Sequence, residues 1–267
     1  MDIKRVTSAL LGITVIIAVF LIGNKYVVDV LMAIVAFLAM DEYFNAISKV
    51  ATPVRWIGYV SCISIAVIHV IPTEYLFMTT ILSVPTILVI LFAQVVFTRM
   101  KTSFKDIAYT FLGIFYVVYF TIFLTLIYGR EGGNILIWLV LSASWGSDVL
   151  AYIIGKYFGK HKFSKVSPKK SIEGCVAGVI GAIAFILIFT YLANTFWGQN
   201  YSYLYVSVIG IILSLLGQVG DFAASSIKRY VDIKDYSNLI PGHGGMLDRI
   251  DSLIFIAPFA YALFTII

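Results

Sequence analysis

Charge is what this sequence has least of. Only 12% of its 267 residues are Asp, Glu, Lys or Arg, against about a quarter in an ordinary soluble domain. With 61% hydrophobic residues and a mean hydropathy of +0.98, the scarcity excludes water as the main solvent and points to a lipid bilayer. Cysteine is nearly absent too. Cys62 and Cys175 both sit in apolar runs, which excludes a disulfide framework and a zinc spacing and leaves inert core thiols. Proline is limited to six residues, and no Ser/Pro-rich linker or change of composition divides the chain. One membrane domain over 1–267 is therefore expected, with N-terminal helices in 1–105 and the motif-bearing portion in 106–267. The basic start leads into an apolar run that resembles a signal peptide, but Leu21-Ile22-Gly23-Asn24 lacks a small-x-small cleavage site. A retained first transmembrane helix is the expectation. The lack of an internal repeat argues against a transporter built from paired halves.

Apolar runs are what the sequence has in abundance. A spanning helix needs about 20 mainly apolar residues, and about nine runs qualify: 6–22, 26–47, 54–71, 75–97, 107–128, 134–158, 172–194, 203–224 and 247–267. The expected fold is all-α, a polytopic transmembrane helical bundle. With the N-terminus on the cytoplasmic side and the C-terminus outside, all but Lys25 and Arg130 of the 19 Lys and Arg residues fall on cytoplasmic segments. That asymmetry is the orientation signal of membrane proteins, although attraction to anionic lipid headgroups also accounts for such charge. The longest polar connections, 159–171 and 225–246, open on that same face.

Ionisable groups in or beside membrane helices are costly, so each suggests a function. The sixth run carries Ser142, Ser144, Ser147 and Asp148, with Ser144 and Asp148 one turn apart. The serines also suit plain helix–helix contacts, whereas Asp148 needs a cation or a donor. On the eighth run Ser214, Gln218, Asp221, Ser225 and Lys228 recur every three or four residues, a continuous polar stripe of the kind that walls a cavity. Snorkelling explains its Lys228 and the neighbouring Arg229, but not Asp221 with Gln218 and Ser214 below it. The ninth run opens with Asp248 and Asp251, which either complement the helix dipole or join Asp221 around a hard divalent cation such as Mg²⁺. Immediately before them lies Pro241-Gly242-His243-Gly244-Gly245, a turn whose backbone N–H groups would approach phosphate oxygens. The other polar loop supplies Lys160, Lys162 and Lys165, then Ser167-Pro168-Lys169-Lys170-Ser171-Ile172-Glu173-Gly174. Lysines for phosphates beside acids for a metal describe a polyphosphate site better than an ion pore. Asp41, Glu42 and Asn45 stand at another cytoplasmic helix end, where the sequence leaves substrate contact and interface capping equally open.

These residues resemble a known family. From Ser225 to Asp251 the chain reads SSIKRYVDIKDYSNLIPGHGGMLDRID, which is similar throughout to the phosphatidate cytidylyltransferase signature S-x-x-K-R-x4-K-D…P-G-H-G-G-x-x-D-R-x-D. Asp148, Ala151-Tyr152, Gly155-Lys156, Gly159-Lys160 and Ser167 to Lys170 extend the likeness upstream. Ser171-Ile172-Glu173-Gly174 departs from the family's Thr-x-Glu-Gly but keeps the hydroxyl. The specific motifs cover the later part of the chain, and the first hundred or so residues resemble the family only in hydropathy. The resemblance implies that CTP and phosphatidate give CDP-diacylglycerol and pyrophosphate. It implies Asp221 and Asp248 as metal-binding carboxylates for Mg²⁺, with Asp251 in support, and leaves open whether a second cation joins it. Lys228, Arg229 and His243 would face the phosphates, and Asp148, Lys169, Lys170, Ser225, Gly244 and Gly245 would complete the nucleotide and phosphate contacts. It further implies a cell-membrane enzyme with a cytoplasmic active site, a homodimer, and no nucleic-acid partner. A CDP-alcohol phosphotransferase is set aside because D-G-x2-A-R-x8-G-x3-D-x3-D is not found. A polyprenol-type CTP-dependent kinase stays open, separated by its release of CDP rather than pyrophosphate.

Overall fold

The computed structural model describes residues 3–162, 166–168, 170–240, 242 and 244–266, with side chains described for residue 12 and from 14 onward. Among them the chain is helical and contains no strand, only two isolated bridges, Lys162 with Ser171 and Ile240 with Gly244. The helices are α1 (Ile3–Ile22), α2 (Lys25–Ile47), α3 (Arg55–Ala66), α4 (Thr73–Phe97), α5 (Phe104–Gly113), α6 (Phe120–Tyr128), α7 (Gly133–Tyr157), α8 (Ile172–Phe196), α9 (Tyr203–Tyr230) and α10 (Leu247–Leu263). A 3₁₀ turn, Ile68–Val70, follows α3, and a π-helical stretch, Ile114–Tyr119, joins α5 to α6.

Five of these segments are long and apolar enough to cross a membrane: Thr73–Phe97, Phe104–Tyr128, Gly133–Tyr157, Ile172–Phe196 and Tyr203–Tyr230. The protein is a multi-pass membrane protein. Helix α4 makes the solvent plain, since Leu82, Val89, Phe92 and Val96 are all exposed on it, an arrangement that is stable against lipid and not against water. The expected span at 54–71 has a different form. Its α-helix is the 12 residues of α3, about 18 Å at 1.5 Å per residue, well short of a hydrocarbon core of about 30 Å. It ends in the 3₁₀ turn, where His69 Nδ1 lies 2.8 Å from both carboxylate oxygens of Asp29. Asp29 is fully buried on α2, and a buried carboxylate requires such a partner. Hydropathy alone does not register this break.

The chain divides into two compact units. The first holds Met1–Thr125 and Tyr230–Ile250. Its core forms on α2, where Met40, Tyr43, Phe44 and Ile47 are almost wholly buried. The Phe44 ring takes the space a side chain would need at Gly58 of α3. Tyr43 likewise lies on Gly113 and donates its hydroxyl to the Tyr109 carbonyl at 3.0 Å. The backbone loosens into the π-helical stretch directly after that contact. Helix α5 starts with a capping box, Ser103 with Asp106, and Asp106 also accepts the Thr52 N–H at 2.7 Å, tying the α2–α3 connection to it.

The second unit holds Leu126–Arg229 and Asp251–Ile267. Helices α7 and α8 approach until Gly146 and Gly181 touch backbone to backbone, and a Cβ at either would collide. Gly174 repeats this lower down, where a Cβ would lie 2.9 Å from the Ala151 carbonyl. Small residues permit such closeness where no water drives association. Helix α10 leans on α9 at Gly220, whose Cβ would meet Phe255 and the Asp251 carbonyl. Its far end is held by Arg130, stacked over the Tyr261 ring at 3.8 Å and bonded to the Tyr261 carbonyl, a structural use for one of the two basic residues outside the main cluster.

Candidate active site

The small-residue seam between α7 and α8 has a consequence at one end. The helices stay close, and with Gly159, Lys162, Pro168, Lys170 and Ser171 from the connection between them they line a cavity of about 570 Å³, within the range of small-molecule sites. Its floor is polar. Ser147 of α7 and Ser214 of α9 are hydrogen bonded at 2.8 Å, and Gln218 Nε2 donates to the Cys175 carbonyl at 3.0 Å and to Ser214 Oγ at 3.3 Å. Each of these groups lies in an apolar bundle and finds its partner on another helix or one turn away, as buried polar atoms must. Also lining it are two carboxylates, Asp148 and Asp221, and three lysines, Lys156, Lys162 and Lys170. Lys170 Nζ donates to Asp221 Oδ2 at 2.7 Å and stands 4.4 Å from the centre of the Phe222 ring.

The connection that carries Lys162 and Lys170 is anchored near α8. Ser171, 1% exposed, caps α8 by accepting the Gly174 N–H at 3.1 Å. That is the use of the hydroxyl shared by Ser and Thr at this position. His161 donates its backbone N–H to the Glu173 carboxylate and holds its Nδ1 2.6 Å from Oε1. The Ile172 N–H returns to the His161 carbonyl at 2.9 Å. Ser171 thus fixes the C-terminal side of Lys170. At the end of α9, Arg229 Nε donates to the Val166 carbonyl at 3.4 Å, so Arg229 meets the connection's backbone. Ser225 and Lys228 are half-buried further along the α9 stripe. Asp251 is buried in the second unit, and its carboxylate accepts the Ser252 N–H.

In the first unit the Gly-rich turn takes a form of its own. Gly242 and Gly244 have φ of +77° and +85°, where a side chain would be strained. Gly245 is glycine for lack of room, because a Cβ would collide with the carboxylate of Glu42. The Gly245 N–H donates to Asp248 Oδ2 at 3.0 Å, and the Tyr236 N–H reaches the same oxygen at 2.9 Å. Glu42 accepts the N–H groups of Met246 and Leu247, both at 2.8 Å, and the Ser237 hydroxyl at 2.6 Å. The donors expected to await phosphate at Gly245 and at the start of α10 are therefore engaged by protein carboxylates. Helix N-termini attract anions, and here the anion is supplied from α2.

Of the expected site residues, Asp148, Lys170 and Asp221 share the cavity. Gly244, Gly245 and Asp248 share the turn. Lys169 and His243 lie outside the described residues. Cys175, read as an inert core thiol, is half-buried and lines the cavity, whereas Cys62 is buried as expected. Glu42 went unassigned in the sequence because its partners lie 195 to 205 residues away.

Residues 3–267 match the sequence profile of the cytidylyltransferase family. The chain belongs to that family. Similar curated proteins are the phosphatidate cytidylyltransferase of Bacillus subtilis, 34% identical over 176 residues, which is 65% of this chain and 64% of that protein. The Thermotoga maritima phosphatidate cytidylyltransferase is 35% identical over 61% of each chain. With these two the alignment spans under two thirds of their length. The Staphylococcus saprophyticus phosphatidate cytidylyltransferase is 32% identical over 95% of both chains. Family membership therefore extends to the N-terminal helices, where motif reading had found only hydropathy.

Proposed function

We propose that this chain transfers the cytidylyl group of CTP to phosphatidate, giving CDP-diacylglycerol and pyrophosphate for phospholipid synthesis. The observation that carries this reading is the cavity, lined by three lysines and two carboxylates from α7, α9 and the connection after α7. Such a set of charges suits a polyphosphate in a chain built for lipid. The family and the names of its relatives supply the substrates.

Among the described residues, no three His, Cys, Asp or Glu side chains gather into a ready-made metal cage. Mg²⁺ does not need one, because it binds through one or two carboxylates plus substrate phosphates and keeps several waters. Asp148 and Asp221, oxygen donors that line the same cavity as phosphate-seeking lysines, fit that habit. They would hold the cation. When bound, the cation neutralises charge on the phosphates. The lysines bind and orient the triphosphate, so that a phosphatidate phosphate oxygen forms the new bond to the α-phosphorus. The bond from that phosphorus to the bridging oxygen breaks, and its electron pair leaves with pyrophosphate. The attacking oxygen is already anionic, so no general base is required, and the chain's contribution is alignment and charge neutralisation.

The orientation belongs to the same proposal. The N-terminus is cytoplasmic and the cavity opens to the cytosol where CTP is found, supported by the gathering of Lys and Arg on one set of connections. Nine membrane-embedded segments, α3 a short one, and a homodimer complete the reading. The test is purified protein in detergent with labelled CTP, phosphatidate and Mg²⁺. CDP-diacylglycerol and pyrophosphate are expected. Release of CDP with phosphorylated lipid would replace the reading by a CTP-dependent kinase, and no turnover under any divalent cation would end it.

A further inference from the structure

Glu42 is a costly residue. It is 4% exposed on an apolar helix, and a buried carboxylate is tolerated only when its oxygens are engaged. Both are. Oε1 takes the Ser237 hydroxyl and the Met246 N–H, and Oε2 takes the Leu247 N–H. All three donors flank one segment, 237–247, whose ends are also drawn together by Asp248 through the Tyr236 and Gly245 N–H groups. Two carboxylates thus hold the backbone on both flanks of the Gly-rich turn. Removing Asp248 would leave α10 capped, but removing Glu42 would free the backbone that aims Asp248. Gly245 records the same fit, since no larger residue leaves room for the Glu42 carboxylate.

From this geometry we infer that Glu42 is a positioning residue for the cytidylyl transfer: it takes the anion seat at the start of α10 and thereby sets where the Asp248 carboxylate points. The inference rests on the proposed function for its catalytic consequence, though not for its structural one. It also implies that the nucleotide phosphates are held by the cavity lysines and not by the first N–H groups of α10.

The test uses Glu42→Gln, which keeps size and shape but replaces one acceptor oxygen by an NH₂ unable to accept an N–H. Hydrogen exchange on the full-length protein in detergent is read at peptides covering 236–248. Faster exchange confined to that segment is expected, at unchanged overall melting temperature to within a few degrees. Mn²⁺ binding, followed by electron paramagnetic resonance, and turnover against Mg²⁺ concentration are measured alongside. Residues that orient metal ligands change metal affinity or activity by about 10–100-fold when altered, and a loss in that range is expected with the KM for phosphatidate unchanged. Glu42→Asp, one methylene shorter, should fail to restore either property. If Glu42→Gln does not fold, Ser237→Ala removes one of the three bonds and should give a smaller shift of the same kind. Unchanged exchange at 236–248, or changed exchange with wild-type cation dependence and turnover, overturns the inference. A wild-type protein that makes no CDP-diacylglycerol refutes the proposed function instead, leaving the exchange and Mn²⁺ measurements to judge Glu42 separately.

Discussion

At the scale of single residues, the Lys170–Asp221 pair holds the most information. Its 2.7 Å contact gives the acid a cationic partner and holds the lysine at the mouth of the cavity. Each side chain is a little over a quarter exposed, so the pair is screened and contributes little to stability. Its value is in the site. Lys170→Met should cut kcat by about a hundredfold, the cost of removing one preorganised charge-stabilising donor, with melting almost unchanged. Asp221→Asn should cost at least as much and raise the Mg²⁺ needed for half-maximal rate. Pyrophosphate release over a magnesium titration checks both, and wild-type rates in either variant would show that the pair is merely structural. Ser147, Ser214 and Gln218 belong at this scale too. Helix-packing serines and a cavity floor were both compatible with the sequence, and the structure unites them, since one hydrogen-bond chain joins three helices beneath the opening.

At the scale of helices, the decisive feature is the α7–α8 seam. Gly146 and Gly181 bring the backbones into contact, and the same two helices carry Asp148, two residues past Gly146, and the Ser171 cap. A side chain at Gly181 must push the helices apart or unseat Leu150. Gly181→Leu should therefore destabilise the protein by about 1–3 kcal/mol, the usual cost of overpacking, and lower activity through the widened cavity. Thermal unfolding in detergent measures the first effect. A melting temperature equal to wild type would mean that the seam is not tightly packed. Apolar periodicity could not announce this seam, because a glycine in an apolar run reads the same whether it meets a backbone or a lipid tail. The short α3 has the opposite lesson. Its apolar run reads as a crossing, but the Asp29–His69 contact ends the regular helix early.

At the scale of the whole molecule, the prediction concerns sidedness. In a variant whose Cys62 and Cys175 are replaced, a single cysteine at Lys101 should react with a membrane-impermeant reagent only from the cytoplasmic side. One at Glu131 should react only from the other side, as expected if Lys and Arg gather inside. Labelling of both from one side would invert or break the proposed orientation. The same experiment on 160–162 would locate the opening of the cavity.

The sequence by itself determined the solvent, the helical class and the family. Hydropathy is additive along the chain and the motifs are contiguous, so neither needs a fold to be read. It also marked most of the acids and lysines, since a charge in an apolar run stands out at any position. What only the tertiary structure decided is how those groups are used. Gln218 and Asp221 of the α9 stripe came to line a cavity together with residues of α7 and α8. The Gly-rich turn became a clamp around Asp248 because Glu42 reaches it from about two hundred residues away. Contacts across that distance depend on how helices pack, and packing leaves no local trace in the order of residues.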